Sequence, residues 1–228
     1  MAEAEQGAVF LAIDTSSAQA GIALRAGGRI ASLVWHAGRS HTVSLLPQIH
    51  GLLELHGHPV SRLAGIAVAV GPGAFTGLRV GLGVAKGLSF ALDLPLVGVS
   101  TLEAAALPFL APDRMVVAAV AAGRGRIVWA IYGRGPDAFP LPIAPPRNGT
   151  TEEMIDILTS LERPCVVVGE VGDGIDPSPA AYPGVEVVPA SLGLRRPEAV
   201  LALARPRFEV GSVDDPVALE PFYLGRDA

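Results

Sequence analysis

A chain of 228 residues, 50% hydrophobic and with a mean hydropathy of +0.45, has enough apolar material for one large domain or two small lobes, which excludes an intrinsically disordered protein. Its 17 Lys and Arg against 22 Asp and Glu leave a formal charge of -5, so the chain as a whole is not an electrostatic magnet for nucleic acid. No apolar run reaches the length of a membrane span, and the first residues, Met1 to Gln6, are acidic where a secretory signal is basic; a cytoplasmic location is expected. Cys165 is the single cysteine, which excludes an internal disulfide and a cysteine-cluster metal site, and its setting in Cys165-Val166-Val167-Val168 reads as a small buried hydrophobe.

In chain order, Val9 to Ile13, Ala20 to Arg25 and Arg29 to Trp35 read as three antiparallel strands around a polar turn at Asp14 to Gln19 and a Gly27-Gly28 turn. Thr42 to Leu55 follows as a helix carrying Val43, Leu46, Ile49, Leu52 and Leu53 at helical spacing, with Pro47 tolerable only near its first turn. Gly65 to Val70 is a short buried strand, broken by Gly71-Pro72-Gly73. A helix from Phe75 to Leu92 follows, with Thr76 as N-cap, Leu78, Leu82, Ala85 and Leu88 as its apolar row, and Asp93 and Pro95 as its stop. Leu96 to Val99 is a strand, and Thr101 caps a helix from Leu102 to Leu110 closed by Pro112.

A second lobe is expected from Asp113. Met115 to Ala121 and Ile127 to Tyr132 form a hairpin around Ala122 to Arg126, and the proline-rich 133–148 is extended or loop. Thr150-Thr151-Glu152-Glu153 opens a capped helix with Met154, Ile155, Ile157, Leu158 and Leu161 on its apolar side. Cys165 to Val168 is a strand followed by the Gly169, Gly172, Gly174 loop; Ala180 to Val188 gives a turn and a short strand. Pro197 to Ala204 is the last helix, before an aromatic tail with Phe222 and Tyr223.

The glycine content of the 75–92 helix needs a reason. Gly77, Gly81, Gly83 and Gly87 each cost about 1 kcal/mol relative to alanine in a helix interior. Gly77, Gly81, Ala85 and Ser89 lie four apart on one face, a small-residue stripe that admits another backbone very closely. The occupant is either a partner helix or the helix's own sheet; a phosphate cradle is a third reading, although the spacing is not that of a P-loop and no Lys-Ser/Thr follows.

Gly71 to Arg79 with Gly87, the segment Pro95 to Glu103, and the opening Leu11-Ala12-Ile13-Asp14-Thr15-Ser16-Ser17 closely resemble the TsaB (YeaZ) family, the dimerisation subunit of the bacterial tRNA threonylcarbamoyladenosine machinery. The match is dense from Leu11 to Glu103 and thinner afterwards. The resemblance implies an α/β, two-lobed actin-like fold (shared with sugar kinases and Hsp70) with a degenerate nucleotide site, in lobes 7–112 and 113–228. It also implies a non-catalytic subunit that binds and activates the threonylcarbamoyltransferase TsaD, which modifies the adenosine just 3′ of the anticodon in tRNAs reading codons that begin with A. TsaE joins that complex, the chain forms a homodimer when alone, and tRNA is met indirectly.

By the same resemblance the helices 42–55 and 75–92 pair with their TsaD equivalents, through Leu46, Ile49 and Leu53 on one and Gly77, Gly81, Ala85 and Ser89 on the other. Gly81→Leu is then expected to leave the fold intact and block pairing. Asp14, Thr15 and Ser16 occupy the place of an actin-fold phosphate site, to be read either as a retained site or as a structural turn. Relatives commonly carry an acid where this chain has Ala121 to Arg126; Arg124 and Arg126 there either meet a phosphate or are solvated. The glycine loop at 169–174 lies where actin-like folds touch an adenosine, a weak signal.

The histidines at 36, 41, 50, 56 and 58 offer no His-x-x-x-His or His-Glu-x-x-His, so neither a metal ligand set nor a peptidase is indicated. No nucleophile has an activating base at diagnostic spacing; no catalytic residue and no cofactor is assigned, and Lys86 and Glu103 read as exposed or partner-facing charges. The alternative function is a small ATP-dependent phosphotransferase using Asp14 and Thr15.

Overall fold

The computed structural model describes residues 7–38, 40–123, 125–161, 163–171, 182–189, 192–193 and 195–224. The chain divides into two units, 1–100 with 196–221 and 101–195 with 222–228.

In the first unit, β1 (Val9–Asp14), β2 (Gln19–Ala26) and β3 (Arg29–His36) form an antiparallel meander, and β4 (Leu63–Gly71) and β5 (Leu96–Ser100) extend it in parallel on the far side of β1. The order is β3-β2-β1-β4-β5. The strands β1 and β4 are central and almost wholly buried, which explains their continuous apolar runs; β3 is solvated on one side and alternates.

One face of this sheet carries α1 (His41–Leu55) and α2 (Phe75–Leu92). Val9, Leu11 and Ile13 of β1 meet Leu45, Ile49, Leu52 and Leu53 of α1 and Leu82 and Ala85 of α2 in one core. Pro47 lies inside α1, beyond its first turn, on an exposed position like its neighbour Leu46. The N-cap of α2 is Ala74 rather than Thr76, and the helix ends at Asp93 in the left-handed conformation (φ 52°).

The opposite face is covered by α5 (Pro197–Glu209), which packs across β1 and β2. Gly21 leaves room for the Pro197 ring, and a side chain on Gly65 would meet Phe208 and Phe10 at 2.9–3.0 Å; those two rings lie 5.0 Å apart. The expected boundary at 112/113 therefore needs correcting: the last helix, placed by sequence in the second lobe, belongs to the first, as does the chain to residue 221, while the helix that starts at Thr101 belongs to the second. Beyond α5 the tail crosses edge strand β5, where Asp214 N–H donates to the Leu96 carbonyl and Leu219 presses on Gly98. Leu219 packs against the core, while Phe222 and Tyr223 stay more than 40% exposed at 44% and 42%.

The second unit repeats the plan. β6 (Met115–Gly123) and β7 (Arg126–Arg134) form the hairpin, β8 (Pro140–Pro142) and β9 (Arg147–Gly149) are short strands on the outer side of β7, and β10 (Cys165–Gly169) and β11 (Val185–Val187) run parallel beyond β6. Its order, β11-β10-β6-β7-β8, is that of the first sheet read in reverse. Side chains of β6 alternate: Met115, Val117 and Ala119 face α4 (Thr151–Thr159), and Val116, Ala118 and Val120 face α3 (Thr101–Ala106). The helix expected over 102–110 tightens after Ala106 into a 3₁₀ turn at Leu107–Phe109, where Pro108 removes an amide donor. The capping box of α4 is present: Glu153 N–H donates to Thr150 Oγ1 at 3.2 Å and Thr150 N–H to Glu153 Oε2 at 2.8 Å.

Candidate functional site

The polar turn after β1 is buried and internally satisfied. Asp14, Thr15, Ser16 and Ser17 are each at most 4% exposed. Ser16 N–H donates to Asp14 Oδ1 at 2.9 Å and its hydroxyl bonds the same oxygen; Thr15 Oγ1 donates to the Gly77 carbonyl at 2.7 Å; Ser17 Oγ donates to the Gln19 carbonyl at 3.0 Å. Over this turn lies the glycine stretch. Ala74 N–H donates to the Ser16 carbonyl at 2.7 Å, and His41 Nε2, at the start of α1, donates to the Ser17 carbonyl at 2.7 Å.

That roof touches the turn backbone to backbone at Gly73 and Gly77 and meets the Thr15 side chain at Gly81. A Cβ on Gly73 would sit 2.3 Å from the Ser16 carbonyl oxygen, one on Gly77 2.0 Å from that of Thr15, and one on Gly81 2.1 Å from Thr15 Oγ1. Asp14, Thr15 and Ser16 are thus brought together as expected, but as a keystone under α2: hydroxyls a phosphate needs are already committed to protein acceptors. This geometry favours the structural-turn reading over a retained phosphate site.

The same geometry corrects the partner face. Gly77, Gly81, Ala85 and Ser89 all face inward; Ala85 is 0% and Ser89 3% exposed, and Ser89 Oγ donates to the Leu94 carbonyl at 2.7 Å. The close occupant of the stripe is the chain's own β1–β2 turn. Of the three α1 residues expected at the interface, Ile49 and Leu53 belong to the core, and Leu46 alone is exposed, at 51%. Sequence reasoning had the clue, since Ala85 stood both in the stripe and in the core-facing apolar row with Leu78 and Leu82.

The outward face is built from other residues. Val43, Leu46 and Leu55 of α1 and Phe75 and Phe90 of α2 are large apolar side chains more than half exposed. Gly83 and Gly87 of α2, one turn apart, and Gly51 of α1 have nothing within 4 Å of where a Cβ would be. Arg79 lies over the Phe75 ring at 3.9 Å. Lys86, expected to be exposed or partner-facing, donates to the Val217 carbonyl of the tail at 3.4 Å in an exposed hydrogen bond.

In the second unit, Arg126 is held by Asn148, Nε to Oδ1 at 2.9 Å and Nη2 to the carbonyl at 2.6 Å, and Asn148 in turn donates to the Leu224 carbonyl at 3.2 Å. It is a strut between hairpin and tail. Arg124, Gly172 and Gly174 lie outside the described residues. Gly169 has φ +100° and presses on the Ala119 carbonyl, a Cβ there falling 2.2 Å away, so its freedom serves the contact with β6. Burial pushes the Cys165 thiol up to about 11, as suits a core residue, and raises the Glu103 carboxyl above its ordinary range. Among the described residues no group of three or more His, Cys, Asp and Glu is placed to hold a metal. No helix among them is long and apolar enough to cross a membrane.

Two sheets of the same strand order, each hairpin followed by parallel strands, with the phosphate turn of the first closed by its own helix, define a protein of the actin-like ATPase fold whose first-lobe nucleotide turn is degenerate. Residues 32–138 match the family model described as TsaD, tRNA N6-adenosine threonylcarbamoyltransferase. The chain is 32% identical over 161 residues to the tRNA threonylcarbamoyladenosine biosynthesis protein TsaB of Bacillus subtilis, covering 70% of each. It is 36% identical over 127 residues to that of Escherichia coli, covering 55% of each. The solved structure of YeaZ from Pseudomonas aeruginosa superimposes with a TM-score of 0.79 at 26% identity, covering 95% of this chain and 100% of that one. The chain belongs to the TsaB family.

Proposed function

We propose that this chain is a non-catalytic subunit in the formation of N6-threonylcarbamoyladenosine on tRNA, and that it binds and activates TsaD through the outward face of α1 and α2. The observation that carries the proposal is the exposed surface of the two helices: Val43, Leu46 and Leu55 on α1 and Phe75 and Phe90 on α2 are more than half exposed, and Gly83 and Gly87 leave the α2 backbone bare. An apolar helix pair of this kind asks for a cover, and glycines one turn apart let a crossing helix approach closely. The match to the TsaD family model includes both helices, so the two proteins are alike over the surface each would offer, which favours a near-symmetric pairing and a homodimer when TsaD is absent. The catalytic groups and the grip on tRNA then lie with TsaD, with TsaE joining the same cytoplasmic complex. A phosphotransferase would use Asp14 and Thr15, and both are engaged at the turn, Thr15 with the Gly77 carbonyl and Asp14 with Ser16.

The test is size-exclusion chromatography with light scattering on the protein alone and mixed with TsaD of the same organism, using the wild type and Leu46→Asp/Phe90→Asp. The wild type is expected to dimerise and to exchange into a heterodimer. The variant, whose changed residues are 51% and 62% exposed, should stay monomeric, melt like the wild type diluted to monomer, and leave tRNA unmodified in a reconstituted assay. Undiminished TsaD binding by the folded variant would place the interface elsewhere.

A further inference from the structure

On the other face of the first sheet, a cavity of about 280 Å³ opens between the C-terminal half of α5 and the start of β1. It is built by two regular patterns. Phe10 and Arg25 are directly opposed across the β1–β2 ladder, and Leu201, Arg205 and Phe208 share one face of α5. Gly7, Ala8 and Gly27 also line it, with side chains too small to fill it.

The chemistry of the walls is uneven. The Phe10 and Phe208 rings, 5.0 Å apart and inclined at 41°, give an aromatic floor. Arg205 is paired with Glu209 at 2.6 Å, whereas Arg25 is half-buried and has no hydrogen-bond or ion-pair partner among the described residues. A guanidinium lining the same cavity as two aromatic rings, with its donor fork unused, is suited to a carboxylate, which it binds bidentately. The lining carries two cations and one anion, a local positive excess in a chain whose net charge is -5. The space admits one aromatic ring with one acidic group.

We propose that this cavity is a binding site for a small planar aromatic carboxylate, its ring on Phe10 and Phe208 and its carboxylate on Arg25. The site lies on the α5 side of the sheet, the face opposite α1 and α2, and stands apart from the proposed TsaD surface. Neither depends on the other.

Titration of the full-length protein with benzoate, followed by amide NMR, tests it. Saturable shifts are expected at Gly7, Ala8, Gly27 and Phe208, with benzamide, the uncharged isostere, binding about tenfold or more weakly on the wild-type protein. Phenyl phosphate distinguishes a carboxylate-specific fork from a general anion site: weaker binding supports the carboxylate assignment, and equal or tighter binding overturns it. Arg25→Gln should reduce benzoate affinity by a similar factor while keeping the wild-type melting temperature. Absence of saturable shifts at these residues, or equal binding of benzoate and benzamide, would overturn the proposal.

Discussion

Gly81 and Gly83 sit two residues apart in the same helix, and replacing each by alanine should move stability in opposite directions. At Gly83 nothing lies within 4 Å of the new Cβ, so the substitution gains only helix propensity, about 0.5–1 kcal/mol. At Gly81 the same propensity gain is opposed by a Cβ 2.1 Å from Thr15 Oγ1 and 3.5 Å from Ile13 Cγ2. Thr15 cannot swing away without breaking its 2.7 Å bond to the Gly77 carbonyl, a loss of about 1 kcal/mol, and overpacking of a rigid core typically costs about 1–3 kcal/mol more. The net is a destabilisation of about 1–3 kcal/mol. For a chain of this size that is a fall in melting temperature of roughly 2–12 °C, against a rise of roughly 1–4 °C for Gly83→Ala. Calorimetry at dilutions where the protein is monomeric gives both. If Gly81→Ala proved as stable as Gly83→Ala, the packing of α2 on the β1–β2 turn would be wrong, and the small-residue stripe would again be available to a partner. The larger Gly81→Leu is expected to disrupt the fold itself, contrary to the expectation from sequence.

The tail offers a pH test. Burial draws the Asp214 carboxyl upward, but hydrogen bonds from Arg207 at 2.8 Å and Gly98 N–H at 2.7 Å, with the Arg207 charge, outweigh it and hold the carboxyl below its ordinary range. A lowered folded-state value makes the contribution present above the unfolded value, about 3.9, and lost as pH falls through the folded one. Amide exchange of Gly98 should therefore be faster in Asp214→Asn than in wild type at neutral pH, with the difference vanishing on strong acidification; a difference that grew with acid would refute the assignment. Cys165, buried and with its thiol pushed up to about 11, should resist iodoacetamide at pH 8 until the protein is unfolded, as mass spectrometry of the labelled chain would show. Rapid labelling of the native protein would contradict its place in the core.

Much of the architecture is written in local patterns. The alternation in β3, the unbroken apolar runs of β1, β4 and β10, the capping box at Thr150 and the leading Pro197 of α5 are each decided by a few neighbouring residues and survive in the folded chain. The family resemblance rests on equally local segments. What the chain could not state locally is which surface each pattern meets. Spacing four residues apart fixes that Gly77, Gly81, Ala85 and Ser89 share a face, and equally that Gly83 and Gly87 share another; only the arrival of Thr15, 62 residues before Gly77, decides which face is filled. Pro197 to Glu209 announces a helix, but not that Gly21 and Gly65 have left sites for its Pro197 and Phe208 on the first sheet. Periodicity and capping are set by short-range sterics and hydrogen bonds, so sequence determined the elements; close packing between segments distant in the chain decided which glycines are core and which are left bare.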